Sequence, residues 1–145
     1  MTRLPGVTCS ARGSYLADWT ITEQRTQGWR NIVTMAGPQG ESVTSALALL
    51  GDFNAANALG AMAALTSLGI PADVVALGLE SLAGVPGRME TVDSGAGFIG
   101  IVDYAHTDDA LRTLLGTVRR LTAGKVIVVI GCGGDRDRGK RPKMG

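Results

Sequence analysis

The sequence predicts an α/β protein, and three observations predict it. The first fifty residues run as short, irregularly alternating segments broken by glycine-containing turns. At Gly51 the texture changes to an alanine-rich stretch of helical period. Beyond Arg88 the order becomes strand, helix, strand.

In the opening stretch, Thr8 to Arg12, Leu16 to Thr22, Arg30 to Met35 and Val43 to Leu49 read as short strands. Gly13-Ser14, Gln27-Gly28 and Gly37-Pro38-Gln39-Gly40 read as the turns between them. From Asn54 to Leu68, Ala55, Ala58, Leu59, Met62, Leu65 and Leu68 recur on adjoining faces of one helix, with Asp52 or Asn54 as its cap. Gly69 ends that helix. A second helix, Ala72 to Leu82, turns Val74, Val75, Leu79 and Leu82 inward. Gly84, Pro86 and Gly87 break the pattern, which puts a domain boundary after Arg88 and gives two parts, 1–88 and 89–145.

Phe98 to Asp103 then reads as a buried strand. Thr107 caps a helix from Asp108 to Leu121, whose first turn holds Asp108 and Asp109 where the helix dipole favours anions. Ala110, Leu111, Leu114, Leu115, Val118 and Leu121 form its apolar stripe. The run Lys125 to Ile130 is almost wholly apolar, as central parallel strands are, so the three elements read as a right-handed βαβ unit.

Composition narrows the function. The net charge is +1 over 145 residues, which excludes a protein that binds DNA through bulk positive charge. Aromatics are 4%, too few for a base-stacking single-strand binder. No apolar run approaches the ~18 residues of a membrane span, and no signal-peptide pattern opens the chain. Cys9 and Cys132 are too far apart in sequence to suggest a zinc ligand set or a disulfide framework, and read as reduced thiols.

Chemistry concentrates at three places. After the last predicted strand comes Gly131-Cys132-Gly133-Gly134-Asp135-Arg136-Asp137-Arg138-Gly139-Lys140-Arg141-Pro142. Ligands of open α/β sheets bind outside the carboxyl ends of strands, and a glycine-rich turn there frees N–H groups for an anion. From Asp135 to Lys143 five cations face two anions. Gly134, Gly139 and Lys140 match a P-loop, but Arg141 stands where Ser or Thr binds magnesium, and Asp135 and Asp137 would repel phosphate. A solvated charged turn and a different anion-recognition loop are the other readings.

The second place is Val102-Asp103-Tyr104-Ala105-His106, which carries the sole histidine. Asp103 is suited to orient a ligand or accept a ribose hydroxyl, whereas a polar residue satisfied at a helix start accounts equally for His106. A metal set of Asp103, His106 and Asp108 lacks a second histidine or a cysteine group, so no metal site is assigned. The third place combines Asn54 and Asn57, one helical turn apart, with Arg88 after Pro86-Gly87. Amides read donor and acceptor edges of a base, and a guanidinium in such a turn can enter a cleft. Helix capping and an ordinary surface arginine are the plainer alternatives.

Gly51-Asp52-Phe53-Asn54-Ala55-Ala56-Asn57, Gly87-Arg88-Met89-Glu90, Val102 to Thr107 and Gly131 to Pro142, in this order and spacing, resemble the Mur ligases of peptidoglycan synthesis. Within them the pattern is similar to the branch that adds the third amino acid of the stem peptide. The resemblance is specific from about Val43 to Gly145 and loose before that.

It implies an ATP-dependent, cytoplasmic amide ligase that joins meso-diaminopimelate or L-lysine to UDP-MurNAc-L-Ala-D-Glu through an acyl phosphate. Magnesium assists, and neither nucleic acid nor membrane takes part. It implies the C-terminal portion of a central ATPase domain over 1–88 and the start of a Rossmann-like C-terminal domain over 89–145. By position, Asn54, Asn57, Arg88, Asp103 and His106 correspond to residues near ATP, and Arg136 to the arginine that holds a carboxylate of the incoming amino acid, a task suited to a bidentate fork.

The family's P-loop and its carbamylated lysine are absent, so both are expected upstream of Met1. The motif that selects the third amino acid is expected beyond Gly145. Asp108 stands where the family usually has proline. The resemblance therefore implies a piece of such an enzyme, inactive alone. A non-catalytic nucleotide- or anion-binding remnant and another Mur-type ligase, such as a folylpolyglutamate synthetase, remain as alternatives.

Overall fold

A computed structural model describes residues 6–14, 16–132, 139 and 141–145. The chain divides into two compact units, Met1–Val85 and Pro86–Gly145.

The first unit contains β1 (Cys9–Ser10), β2 (Trp19–Gln27), β3 (Arg30–Ala36) and β4 (Ser42–Leu47), followed by α1 (Asp52–Ser67) and α2 (Ala72–Ser81). The strands lie side by side in chain order. β1 pairs parallel with β2, and the other ladders are antiparallel. β3 shows the period of two clearly: Asn31, Val33 and Met35 are buried while their neighbours are not. Trp19, Ile21, Leu47, Ala55, Leu59, Met62 and Val75 complete one apolar core between the sheet and the helices. Ser45 Oγ donates to Ala76 O at 3.3 Å, and the Ala46 N–H donates to Glu80 Oε1 at 2.9 Å, which fastens α2 to β4.

Several boundaries differ from the sequence expectation. β2 runs on through Gln27, although Thr22 to Gln27 is exposed throughout. A ladder satisfies backbone groups whether or not side chains are buried, so this polar ribbon gives no hydrophobic signal. The ribbon turns at Gly28 (φ 59°), the first residue of a two-residue loop closed by Gln27 and Arg30. β1 shrinks to two residues: Asp18 holds the chain before it, accepting from the Thr8 N–H and Oγ1 at 2.7 and 2.8 Å, and Ser10 Oγ accepts the Arg12 and Ser14 N–H groups of the turn after it. β4 stops at Leu47 rather than Leu49.

The start of α1 is also different. Neither Asp52 nor Asn54 caps it: the N-cap is Gly51 (φ 94°), with no side-chain cap bond. At its end Gly69 (φ 86°) donates to Thr66 O and Ile70 donates to Leu65 O, a glycine-terminated Schellman closure. Leu65 and Leu68 near that closure are exposed, as are Val74 and Leu82 on or after α2. Of α2 only Val75 and Ala76 are buried, with Ala72 and Leu79 partly buried against the core.

The second unit opens with a hairpin, β5 (Glu90–Asp93) and β6 (Ile99–Val102), paired antiparallel. The predicted strand Phe98 to Asp103 is present as the shorter β6, but none of its residues is buried, and its partner is the adjacent β5, which sequence pattern did not single out. α3 (Asp108–Leu121) has the predicted bounds, and Thr107 Oγ1 accepts the Ala110 N–H at 3.2 Å. Leu111 is buried on its apolar stripe. The segment 125–130 forms no strand among the described residues, and Ile127 and Val129 are exposed, so the expected parallel βαβ pairing is not made there. An apolar run favours extended chain but does not supply the neighbour whose N–H and C=O groups make a strand. A short α4 (Arg141–Met144) follows, with Cys132 Sγ 3.6 Å from Met144 Sδ. Cys9 and Cys132 are both free thiols. No helix among the described residues is long and apolar enough to cross a membrane.

Candidate functional site

In the second unit, the chain enters β5 through the turn Gly87-Arg88-Met89-Glu90 and leaves β6 through Asp103-Tyr104-Ala105-His106. Hairpin pairing brings the two segments together. The Tyr104 N–H donates to Gly87 O at 2.8 Å. The Met89 N–H donates to Asp103 Oδ2 at 2.9 Å, and the Ala105 N–H donates to Asp103 Oδ1 at 2.8 Å. The Gly87 N–H donates to Glu90 Oε2 at 2.9 Å.

The backbone here is unusual. Gly87 has φ 69° and Met89 has φ 49°, the one non-glycine residue with positive φ among those described. A left-handed L-residue costs roughly 1–2 kcal/mol. Met89 is nevertheless buried, so its side chain anchors the turn while its N–H is held by Asp103. Such strain persists only where the surroundings over-determine it, and it clusters at functional sites.

Arg88, between these two left-handed residues, is exposed and carries neither an ion pair nor a side-chain hydrogen bond among the described residues. Asp103 is half-buried. Each of its oxygens takes one N–H, and an ionised carboxylate has about four acceptor sites, so it retains capacity for a hydroxyl donor. His106 is exposed, its Nδ1 3.1 Å from Tyr104 O, and the two rings stand 5.2 Å apart. With a carbonyl opposite, Nδ1 is the protonated nitrogen in that contact. An exposed guanidinium, a half-satisfied carboxylate and an imidazole suit an anionic ligand that also carries hydroxyls. This donor set fits a nucleotide. Among the described residues no group of three His, Cys, Asp or Glu is placed to hold a metal ion.

In the first unit, Asn54 is buried and donates from Nδ2 to Leu50 O at 2.8 Å, while its Oδ1 accepts from Asn57 Nδ2 at 3.3 Å. Asn54 thus fixes the chain entering α1, and Asn57 is the exposed member of the pair. Asn31, which sequence reading passed over, lies beside them. It is 1% exposed, donates from Nδ2 to Gly51 O at 3.1 Å, and leaves Oδ1 without a hydrogen-bond partner among the described residues. Its place among Val33 and Met35 in the alternation of β3 was the available signal. Glu90 stood in the Gly87–Glu90 motif without a role of its own. A carboxylate three residues after a turn N–H was its signal.

Arg136, predicted to hold a substrate carboxylate, lies outside the described residues, as do Gly134 and Lys140 of the near P-loop pattern.

Residues 87–145 match the family model described as Mur ligase, glutamate ligase domain. Over 142 residues, 98% of this chain, the sequence is 43% identical to UDP-N-acetylmuramoyl-L-alanyl-D-glutamate--2,6-diaminopimelate ligase of Streptomyces avermitilis, of which it covers 28%. Over 97 residues, 66% of the chain, it is 55% identical to the ligase of the same name from Clostridium tetani, covering 20% of that protein. A solved structure of a ligase with that name superposes with a TM-score of 0.67 at 36% identity, covering 95% of this chain and 28% of the other. The chain therefore spans between a fifth and a third of the length of these relatives.

Proposed function

The chain belongs to the Mur ligase family, and from that premise we propose that it serves a cytoplasmic, ATP-dependent amide ligase of peptidoglycan precursor synthesis. In this reading the enzyme adds a diamino acid to UDP-MurNAc-L-Ala-D-Glu. Meso-diaminopimelate is favoured over L-lysine because the relatives at 43% and 55% identity are named as diaminopimelate ligases. Residues 1–88 supply the C-terminal portion of the central ATPase domain, and 89–145 supply the N-terminal portion of the C-terminal domain.

The observation that carries the reading is the turn Gly87–Glu90, held against Asp103 with Arg88 left exposed. Arg88 receives phosphate oxygens, Asp103 accepts a ribose hydroxyl through its remaining lone pairs, and His106 lies beside them. In the first unit, the resemblance makes Asn57 a separate candidate contact to ATP, with Asn54 accepting from its amide. Arg136 holds a carboxylate of the diamino acid. ATP with magnesium supplies the phosphoryl group that activates the substrate carboxylate; the residues of this chain orient and bind.

The test is a pair of titrations of the isotope-labelled chain followed by amide NMR. ATP is expected to shift resonances at Arg88, Asp103, His106 and Asn57. Millimolar diaminopimelate is expected to shift those around Arg136. ATP shifts confined to other residues would contradict the nucleotide assignment, and an unmoved loop around Arg136 in the complete chain, with Arg136 ordered, would contradict the third-residue ligase.

A further inference from the structure

We propose that Glu90 is a positioning residue for Arg88, which rests on the reading that Arg88 meets a nucleotide. The direction in which a side chain leaves a turn is set by the backbone torsions on either side of it. On one side of Arg88 stands Gly87 at φ 69°, on the other Met89 at φ 49°. Three hydrogen bonds hold those torsions: Tyr104 N–H to Gly87 O, Met89 N–H to Asp103 Oδ2, and Gly87 N–H to Glu90 Oε2. The first two come from the β6 side of the hairpin. The third closes the turn on itself, and Glu90 alone supplies it.

Arg88 itself forms no ion pair among the described residues. One oxygen of Glu90 accepts the Gly87 N–H, and each oxygen of Asp103 accepts a backbone N–H. Glu90 therefore acts on Arg88 through the turn that it closes.

The experiment uses the intact chain, labelled with nitrogen-15, and the variants Glu90→Ala, Glu90→Gln, Arg88→Ala and the Arg88→Ala, Glu90→Ala pair. Glu90 is exposed, so the fold tolerates these changes. Two readouts are taken: the Met89 amide coupling that reports φ together with the Arg88 Nε–H relaxation, and the ATP dissociation constant from the titration. Glu90→Ala is expected to move the Met89 coupling, to loosen the Arg88 side chain and to weaken ATP by about three- to tenfold, the range for an arginine that must be ordered on binding. Glu90→Gln is expected to restore all three, because its amide oxygen accepts the same N–H. In the Arg88→Ala background, Glu90→Ala is expected to add nothing to the loss of affinity.

An unchanged Met89 coupling in Glu90→Ala would overturn the proposal. So would an affinity loss of the same size with and without Arg88. If Arg88→Ala leaves ATP affinity untouched while Glu90→Ala still moves the turn and the Arg88 signals, the nucleotide reading fails and the positioning role stands.

Discussion

Met89 donates its backbone N–H to Asp103 Oδ2 at 2.9 Å, and this bond ties the left-handed residue of one segment to the carboxylate of another fourteen positions away. Asp103 thereby has two duties. One oxygen pins the turn that carries Arg88 and the other holds the Ala105 N–H, while the remaining lone pairs face a ligand hydroxyl in the proposed site.

Asp103→Asn keeps one acceptor oxygen and loses the other, so one of the two N–H groups is left unpaired. The expected cost is about 1–3 kcal/mol of stability, together with weaker ATP binding. Urea denaturation and the ATP titration measure the two effects separately.

Gly51→Ala is expected to destabilise the first unit by about 1–3 kcal/mol. Gly51 has φ 94°, and an added Cβ would lie 2.8 Å from the Phe53 ring. Gly51 O also receives Asn31 Nδ2 and the N–H groups of Asn54 and Ala55, so a shift there disturbs the whole α1 start. Denaturation midpoints and amide exchange in α1 report it.

Thr107→Ala removes the acceptor for the Ala110 N–H at the start of α3. The expected loss is about 1 kcal/mol, and Thr107→Ser should recover most of it. Helix content and denaturation midpoints of the two variants decide this.

The clasp at the start of the first sheet is pH-sensitive. The Thr8 N–H and then the Thr8 hydroxyl hold the Asp18 carboxyl below the usual carboxylate range. A depressed folded-state pKa means the contribution is fully present above the unfolded value, about 3.9, and is lost as pH falls through the folded value. Exchange of the Thr8 and Trp19 amides should therefore accelerate in strong acid. In Asp18→Asn that acid-dependent step should vanish.

Much of this was legible in the sequence, and what was not has physical causes. α3 was readable to the residue because Thr107, Asp108 and a regular apolar stripe each mark it independently. The stretch Thr22 to Gln27 was not, because its polar, exposed side chains show no hydrophobic alternation while the backbone ladder still forms. Lys125 to Ile130 read as a strand from its apolar run, but strand identity depends on a neighbour that local pattern does not encode. Around the Gly87–Glu90 turn, residue type and order single out Arg88, Asp103 and His106 as candidates. Glu90 and Met89 are not singled out that way, since their roles arise from backbone geometry: an N–H to be satisfied and a torsion to be held. Asn54 was legible as a polar residue at a helix start, but its buried amide holds Leu50 O and Asn57 rather than capping by its side chain.

The most direct measurement is made in a chimera. This chain replaces the matching 142-residue stretch of the Streptomyces avermitilis ligase, and phosphate release is followed with ATP, UDP-MurNAc-L-Ala-D-Glu and diaminopimelate. The account predicts turnover that requires diaminopimelate and that falls by ~100-fold or more in Arg88→Ala, as loss of a charge-stabilising group at a transferring phosphate does. A folded chimera that binds ATP but turns over no faster than its Arg88→Ala variant would contradict it.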